Sequence, residues 1–444
     1  MLQFIRIFML CLLASNAQAD NNVEVSHSKL GENAWPDMQH TDTATTGSRH
    51  WGAELELNPG HVISMDIYQK KMMKRQGNMA IGLKLNHMAL PSDSDDYAAD
   101  FGYPTIGLAL KYHFNHNVTM HREADPCWGQ LVPVDYDTRL GNIVSAFGSF
   151  SRPLFRNRKW EADYSMNFGI AYSHSKYNTH NAIDNDLIGS RWLIFFGAGA
   201  HITYALTPEW GLKAGIDYYH HSNGALNRPN KGANYVGPSL ALCYRPYYEE
   251  IVQQRERYRS RKFSRYAYMD LAFGVGAKVM NEDWLKTQFN TAPGGKDYRT
   301  SRFRMYAAYS AQASFMYRYA RRWASGIGAD AFYGTYADHV AQLDKEQGHD
   351  LKHDPWSLGI AAKHQVFYHN LSLAMSLGYY LHREMGANAK EIEKPYYERI
   401  GLHYTFSRLG GLTVGCNVKA HLTKADFTEF VVSVPIVVAG TRVH

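Results

Sequence analysis

No stretch of this 444-residue chain approaches the run of about 18 apolar residues that a membrane-crossing helix requires. The mean hydropathy of −0.41 is that of a polar protein, so a helical membrane protein is excluded. Cysteine is scarce as well: four residues, of which Cys11 falls in the leader described below, leaving Cys127, Cys243 and Cys416. An odd number excludes a complete disulfide framework, and at most one pair can bridge. Neither sign of charge dominates. The formal net charge of +6 becomes +5 without Arg6, too little and too dispersed for a nucleic-acid partner. Aromatic side chains, by contrast, are abundant at 14%, with 31 Tyr. Tyrosine is what a transmembrane β-barrel sets in its two interfacial girdles, although an aromatic-rich secreted sandwich has a similar composition.

The first residues read as an export signal. Met1 to Ala19 carry one cation, Arg6, an apolar core from Ile7 to Leu13, and the small-residue ending Ala17-Gln18-Ala19. Cleavage is expected before Asp20. The polar segment 20–49 follows, then a first barrel half over 50–247, a charged connector over 248–264 and a second half over 265–444.

Period-two alternation is the main structural signal. From Phe303 to Tyr319 the odd positions are apolar throughout and the even ones mostly polar or small, and Leu371 to His382 repeats the pattern. So do 160–173, 191–206, 356–368 and 396–407. These segments exceed the five or six residues usual in globular sheets and suit tilted membrane strands. Short connections at 207–209, 321–322, 369–370 and 408–410 interleave with long polar ones at about 117–141, 174–190, 280–302, 335–354 and 384–395. That is the asymmetry of an outer-membrane barrel, with short periplasmic turns and long outer loops. The expected fold is therefore an all-β, antiparallel transmembrane barrel in a bacterial outer membrane. About sixteen strands make one barrel of 14–16 or, alternatively, two tandem eight-stranded barrels. A single barrel is preferred, because two would each need a seam and the connector does not resemble a flexible tether. A weak repeat supports two halves: Gly211-Leu212, Gly215 and His221 recur as Gly411-Leu412, Gly415 and His421.

One constellation carries chemistry. On the strand 211–222 the even residues Leu212, Ala214, Ile216, Tyr218, His220 and Ser222 share a mostly apolar, lipid-facing side. His220 and Ser222 thus point outward at the outer end, where residues i and i+2 bring an imidazole near a hydroxyl. The next residues, Asn223 and Gly224, offer backbone N–H groups to an oxyanion. The returning strand brings Asn234 onto the same face.

The His-x-Ser-Asn run at 220–223, followed by Asn-x-Gly at 230–232, resembles the outer-membrane lipid A 3-O-deacylases of the PagL type, related to proteins called acyloxyacyl hydrolases. The resemblance covers about residues 104–247. It implies His220 as base, Ser222 as nucleophile, Asn223 and Gly224 on the oxyanion side, lipid A or lipopolysaccharide of the outer leaflet as substrate, and no cofactor. The family's third catalytic member is a Glu, and Asn234 stands in its place. Exchanging the acid of a serine triad for an amide can cost about 10⁴ in kcat. At the repeat positions Ala420 and Leu422 replace His220 and Ser222, so chemistry is confined to the first half. The competing reading is a passive barrel, a pore or scaffold whose motif has decayed.

Other polar groups carry less. His113, His116 and His121 match no zinc spacing, and Asp93, Asp95 and Asp96 no EF-type calcium loop. Gly274-Val275-Gly276 and Gly326-Ile327-Gly328 lie within strands, so nucleotide binding is not implied, and no metal is expected. Oligomeric state has no signature in the sequence.

Overall fold

The computed structural model of the protein describes residues 49–123, 134–289, 292, 294–391, 393, 395–422 and 424–440. The expected signal peptide, nearly all of segment 20–49, and Cys127 lie outside the described residues. No described helix is long and apolar enough to cross a membrane.

The first half contains β1 (Trp51–Ile63), β2 (Met73–Arg75), β3 (Gly77–Met88), β4 (Thr105–Phe114), β5 (Thr119–Met120), β6 (Thr138–Arg139), β7 (Ile143–Arg156), β8 (Trp160–Ser173), β9 (Trp192–Ala205), β10 (Trp210–Ser222) and β11 (Ala233–Tyr244). The second contains β12 (Tyr266–Val279), β13 (Met305–Ala320), β14 (Trp323–Gly334), β15 (His353–Tyr368), β16 (Leu371–Met385), β17 (Tyr396–Phe406), β18 (Leu412–His421) and β19 (Lys424–Ala439). Eight strands of each half close on themselves, while β2, β5 and β6 form a small separate sheet. The membrane barrel is borne out, but the preference for one wide barrel is corrected: there are two tandem barrels. The seams that seemed too demanding are ordinary antiparallel ladders, β1 on β11 through Leu55↔Leu242 and β12 on β19 through Leu271↔Val434.

Each barrel turns its apolar residues outward and fills its lumen with polar ones, the inverse of a soluble sandwich. On β10 Leu212 and Ile216 are exposed, while Lys213, Asp217 and His221 are buried. Lys213 pairs with Glu54 at 3.0 Å, and His201 bridges Asp163 and Asp217 at 3.2 and 3.1 Å. In the second lumen Lys363 pairs with Asp330 at 2.8 Å and Arg399 with Glu429 at 3.0 Å. An eight-stranded barrel is just wide enough to be filled by its own side chains. These inward pairs, between neighbouring or next-but-one strands, line and narrow each lumen.

The sequence repeat maps onto the seventh barrel strand of each half, β10 and β18. A Cβ at Gly215 would lie 2.4 Å from the His201 ring, and one at Gly415 would lie 2.1 Å from the His403 ring. Both glycines make room for an inward histidine of the neighbouring strand. His403 meets Asn417 at 2.7 Å, the counterpart of the His201–Asp217 contact. The repeat therefore records lumen packing. Cys243 and Cys416 belong to different barrels and are both free thiols.

The connector is no loose tether because it is tied down along its length. Tyr247, Tyr248 and Ile251 are buried, and the Tyr248 hydroxyl donates to the Asn157 carbonyl at 2.7 Å. At the short-turn end the β3–β4 loop grips the second barrel. Arg321 pairs with Asp100 at 2.9 Å and Asp96 at 3.2 Å, and His369 meets Asp95 at 2.9 Å. Connector residue Arg261 also pairs with Asp96 at 3.0 Å. The aspartates of the β3–β4 loop are thus structural: Asp95 caps the helix Asp96–Asp100, and Asp96 and Asp100 clamp the barrels.

Burial pushes the Asp96 carboxyl up, but the Tyr258 hydroxyl, the Arg261 backbone N–H and the Arg321 charge outweigh it, so the net shift is downward. A depressed carboxyl contributes stability that is present above its unfolded value, near 4, and lost as pH falls through the lower folded value. The clamp should hold unchanged from pH 7 to 5 and weaken only in stronger acid. Replacing Asp96 and Asp100 together by Asn should lower the temperature at which heat-modifiable gel migration is lost, by about 2–4 °C per kcal/mol removed. An unchanged temperature would mean that these ion pairs contribute nothing.

Candidate active site

Strand β10 delivers His220 and Ser222 at its outer end, both half-buried on the lipid-facing side. The register places His220 opposite Asn234 on β11 and opposite Phe196 on β9, with Ser222 opposite Ile194. Asn234 Oδ1 lies 2.8 Å from His220 Nδ1 and accepts the Tyr218 hydroxyl at 2.7 Å. Tyr218, also from the outward column of β10, thereby turns the amide oxygen toward the imidazole. With Nδ1–H donated to Asn234, the lone pair of His220 is at Nε2, the nitrogen a general base needs. The Ser222 hydroxyl has no hydrogen bond among the described residues. Residues i and i+2 on one strand face stand about 6.5–7 Å apart at Cα, within reach once a substrate aligns them.

The outer loop from Asn223 to Gly232 is built as tightly as a strand. Lys231 N–H donates to the Asp186 carbonyl at 3.1 Å and Gly232 N–H to the Leu187 carbonyl at 3.0 Å. Asn227 Nδ2 reaches the Gly189 carbonyl at 2.8 Å. The Lys231 ammonium pairs with Asp66 at 2.9 Å and Asp186 at 3.4 Å.

Gly232 takes φ +76°, and a Cβ there would lie 2.6 Å from His220 Cε1. It is the floor under the imidazole, a role the Asn-x-Gly spacing signals without revealing. Gly232→Ala should displace the ring and reduce turnover about 10²-fold, the cost of an ångström of misplacement, while folded protein is still recovered. Unchanged turnover in a lipid A deacylation assay would remove Gly232 from the site.

The oxyanion side differs in detail from the expectation. Asn223 N–H is already committed to Asn230 Oδ1 at 3.0 Å. The Gly224 N–H has no partner among the described residues, and neither has the buried Asn223 Nδ2. Two donors next to Ser222 are therefore unpaired, one on the backbone and one on a buried side chain.

The remaining candidates fall away from this face. His221 points into the lumen and meets Ser145 at 2.9 Å. His113 is buried there with neither nitrogen bonded, and His121 meets Asp137 at 3.3 Å in a loop. Among the described residues, Glu393, His421 and Asp426 have donor atoms close enough to suggest a metal. Their carboxylates are already taken: Asp426 holds Lys278 at 2.5 Å and Lys419 at 2.6 Å, and Glu393 holds Arg383. Ammonium and guanidinium groups occupy the positions a cation would take.

Residues 99–242, which include this whole constellation, match the family model described as lipid A 3-O-deacylase (PagL), and residues 267–436 match that described as acyloxyacyl hydrolase, C-terminal domain. The chain thus carries a lipid A 3-O-deacylase (PagL) domain and an acyloxyacyl hydrolase C-terminal domain in sequence. These two domains mark an ester-hydrolysing enzyme, a lipid A deacylase of the bacterial outer membrane. No curated protein matches the sequence. Among solved structures, the outer membrane enzyme PagL is 16% identical, covering 43% of this chain and 98% of its own, with a TM-score of 0.26. An outer membrane channel from Pseudomonas putida F1 is 10% identical over 89% of this chain and 100% of its own, with a TM-score of 0.20.

Proposed function

We propose that this protein is a serine esterase that removes an ester-linked 3-hydroxyacyl chain from lipid A, with the reacting groups confined to the first barrel. The observation that carries this reading is the 2.8 Å contact between Asn234 Oδ1 and His220 Nδ1, which leaves Nε2 unprotonated on the strand face that also carries the Ser222 hydroxyl.

In this mechanism Ser222 Oγ attacks the ester carbonyl carbon as His220 Nε2 takes its proton. The carbonyl oxygen becomes an oxyanion held by the Gly224 N–H and Asn223 Nδ2. Collapse breaks the bond to the sugar oxygen, which leaves with the proton from His220, and the acyl group remains on Ser222. A water molecule, deprotonated by His220, then attacks the acyl-enzyme. The products are the free 3-hydroxy fatty acid and restored Ser222. No step calls for a cofactor.

The outward site suits a substrate whose acyl chains already lie beside the barrel wall, with Phe196 and Ile194 as apolar neighbours. Mass spectrometry of lipid A from cells with and without the gene tests the reaction: the gene should remove one 3-hydroxyacyl chain. An unchanged acyl pattern would return the passive barrel as the better reading.

A further inference from the structure

The second barrel has no counterpart of His220 or Ser222, yet its outer rim touches the catalytic loop of the first. The Thr428 hydroxyl on β19 donates to the Gly224 carbonyl at 2.8 Å. At the end of β12, the Val279 N–H donates to the Ala225 carbonyl at 2.8 Å, and the Val279 carbonyl accepts from Arg228 Nε at 3.1 Å. Three hydrogen bonds from the second barrel thus fall on residues 224–228, immediately after Ser222.

These residues need holding. Gly224 and Ala225 both have positive φ, +59° and +71°. For Ala225 the left-handed conformation is unfavourable, and such backbone persists only where its surroundings over-determine it. Ala225 is fully buried. Its carbonyl and that of Gly224 are each clamped by a donor that the first barrel does not supply. A Cβ on Gly224 would lie 2.1 Å from Thr428 Oγ1, so the two barrels meet there without clearance.

We propose that the second barrel is the seat of the catalytic turn: Thr428 and the Val279 backbone hold Gly224 and Ala225 so that the donors beside Ser222 face the forming oxyanion. Thr428 is a positioning residue, touching neither substrate nor His220. This inference rests on the serine-esterase reading of Ser222. It explains why a barrel without the motif is joined by a tied-down connector to one that has it. A loosened turn affects the oxyanion more than the bound ester, so kcat should suffer and KM should not.

The test uses the full chain in detergent micelles with lipid A as substrate. Thr428→Val, which keeps the shape and deletes the hydroxyl, should lower kcat about five- to tenfold, as one lost hydrogen bond would, with KM within twofold. Thr428→Ser should keep at least half of the wild-type kcat. Thr405→Val is the control, since Thr405 Oγ1 bonds Thr413 Oγ1 at 2.9 Å in the same barrel, near its short-turn end. It should leave kcat unchanged. An undiminished kcat in Thr428→Val beside a strongly impaired Ser222→Ala would overturn the seat alone. Equal losses in Thr428→Val and Thr405→Val would also overturn it, by showing general loosening of the barrel. Full activity retained in Ser222→Ala would overturn the serine reading and this inference with it.

Discussion

Ser222→Ala is expected to lower deacylation about 10²-fold, to the level of the nucleophile-free site, while leaving the protein folded. The hydroxyl has no hydrogen bond among the described residues, and Ser222 lies on the outward face, so its loss opens no lumen cavity and breaks no ladder. The magnitude follows from the triad's composition. Deleting the nucleophile of a complete serine triad costs about 10⁶ in kcat. An amide in the third position already forfeits about 10⁴. The further drop is then on the order of 10², down to the level that binding and the oxyanion donors supply alone. Heat-modifiable migration reports folding in the same samples. A variant that kept wild-type turnover would show that another group attacks the ester.

The larger change is expected in the opposite direction, at Asn234. Its oxygen orients the His220 ring as a carboxylate would, but brings no charge to the imidazolium that forms when Ser222 gives up its proton. Because the amide already reaches Nδ1 at 2.8 Å, Asp is the isosteric way to add that charge, whereas Glu must accommodate a further methylene. Tyr218 favours the exchange, since its hydroxyl donates to Asn234 Oδ1 and would donate equally to a carboxylate. Asn234 is buried, so a carboxylate there depends on the imidazolium and the Tyr218 hydroxyl to offset its desolvation. Asn234→Asp should therefore raise kcat by 10² or more, up to about the 10⁴ that separates an acid from an amide in a serine triad. Asn234→Ala should lower it by freeing the ring to adopt the wrong tautomer. Single-turnover kinetics on lipid A would read both. A lower rate in Asn234→Asp would mean that the neutral orienter is tuned to this pocket.

Much of this site was legible because strand geometry is so regular. Period-two alternation put Leu212, Ile216, His220 and Ser222 on one face of β10, and the return of the chain in β11 put Asn234 on the same face. The structure brings His220 opposite Asn234, as that reasoning expects. Less legible was anything that depends on a loop's path. That Gly232 would lie under the imidazole follows from contacts of the 223–232 loop with residues 186–189, which no periodicity describes. The commitment of Asn223 N–H to Asn230 is likewise a detail of loop closure.

The alternation of apolar and polar residues by itself determined that the chain forms membrane strands, which face meets lipid, and where the hydroxyl and imidazole stand. Each of those follows from a two-residue repeat acting within one strand or one hairpin. The number of barrels did not follow, because a strand's hydrogen bonds are satisfied by any antiparallel neighbour. Only tertiary pairing decided that β11 returns to β1 and β19 to β12, closing two narrow barrels in place of one wide one. Nor could any local pattern show Thr428 reaching Gly224, 204 residues earlier in the chain. That contact exists because the two closed barrels meet at their outer rims as well as at the clamp of their short-turn ends.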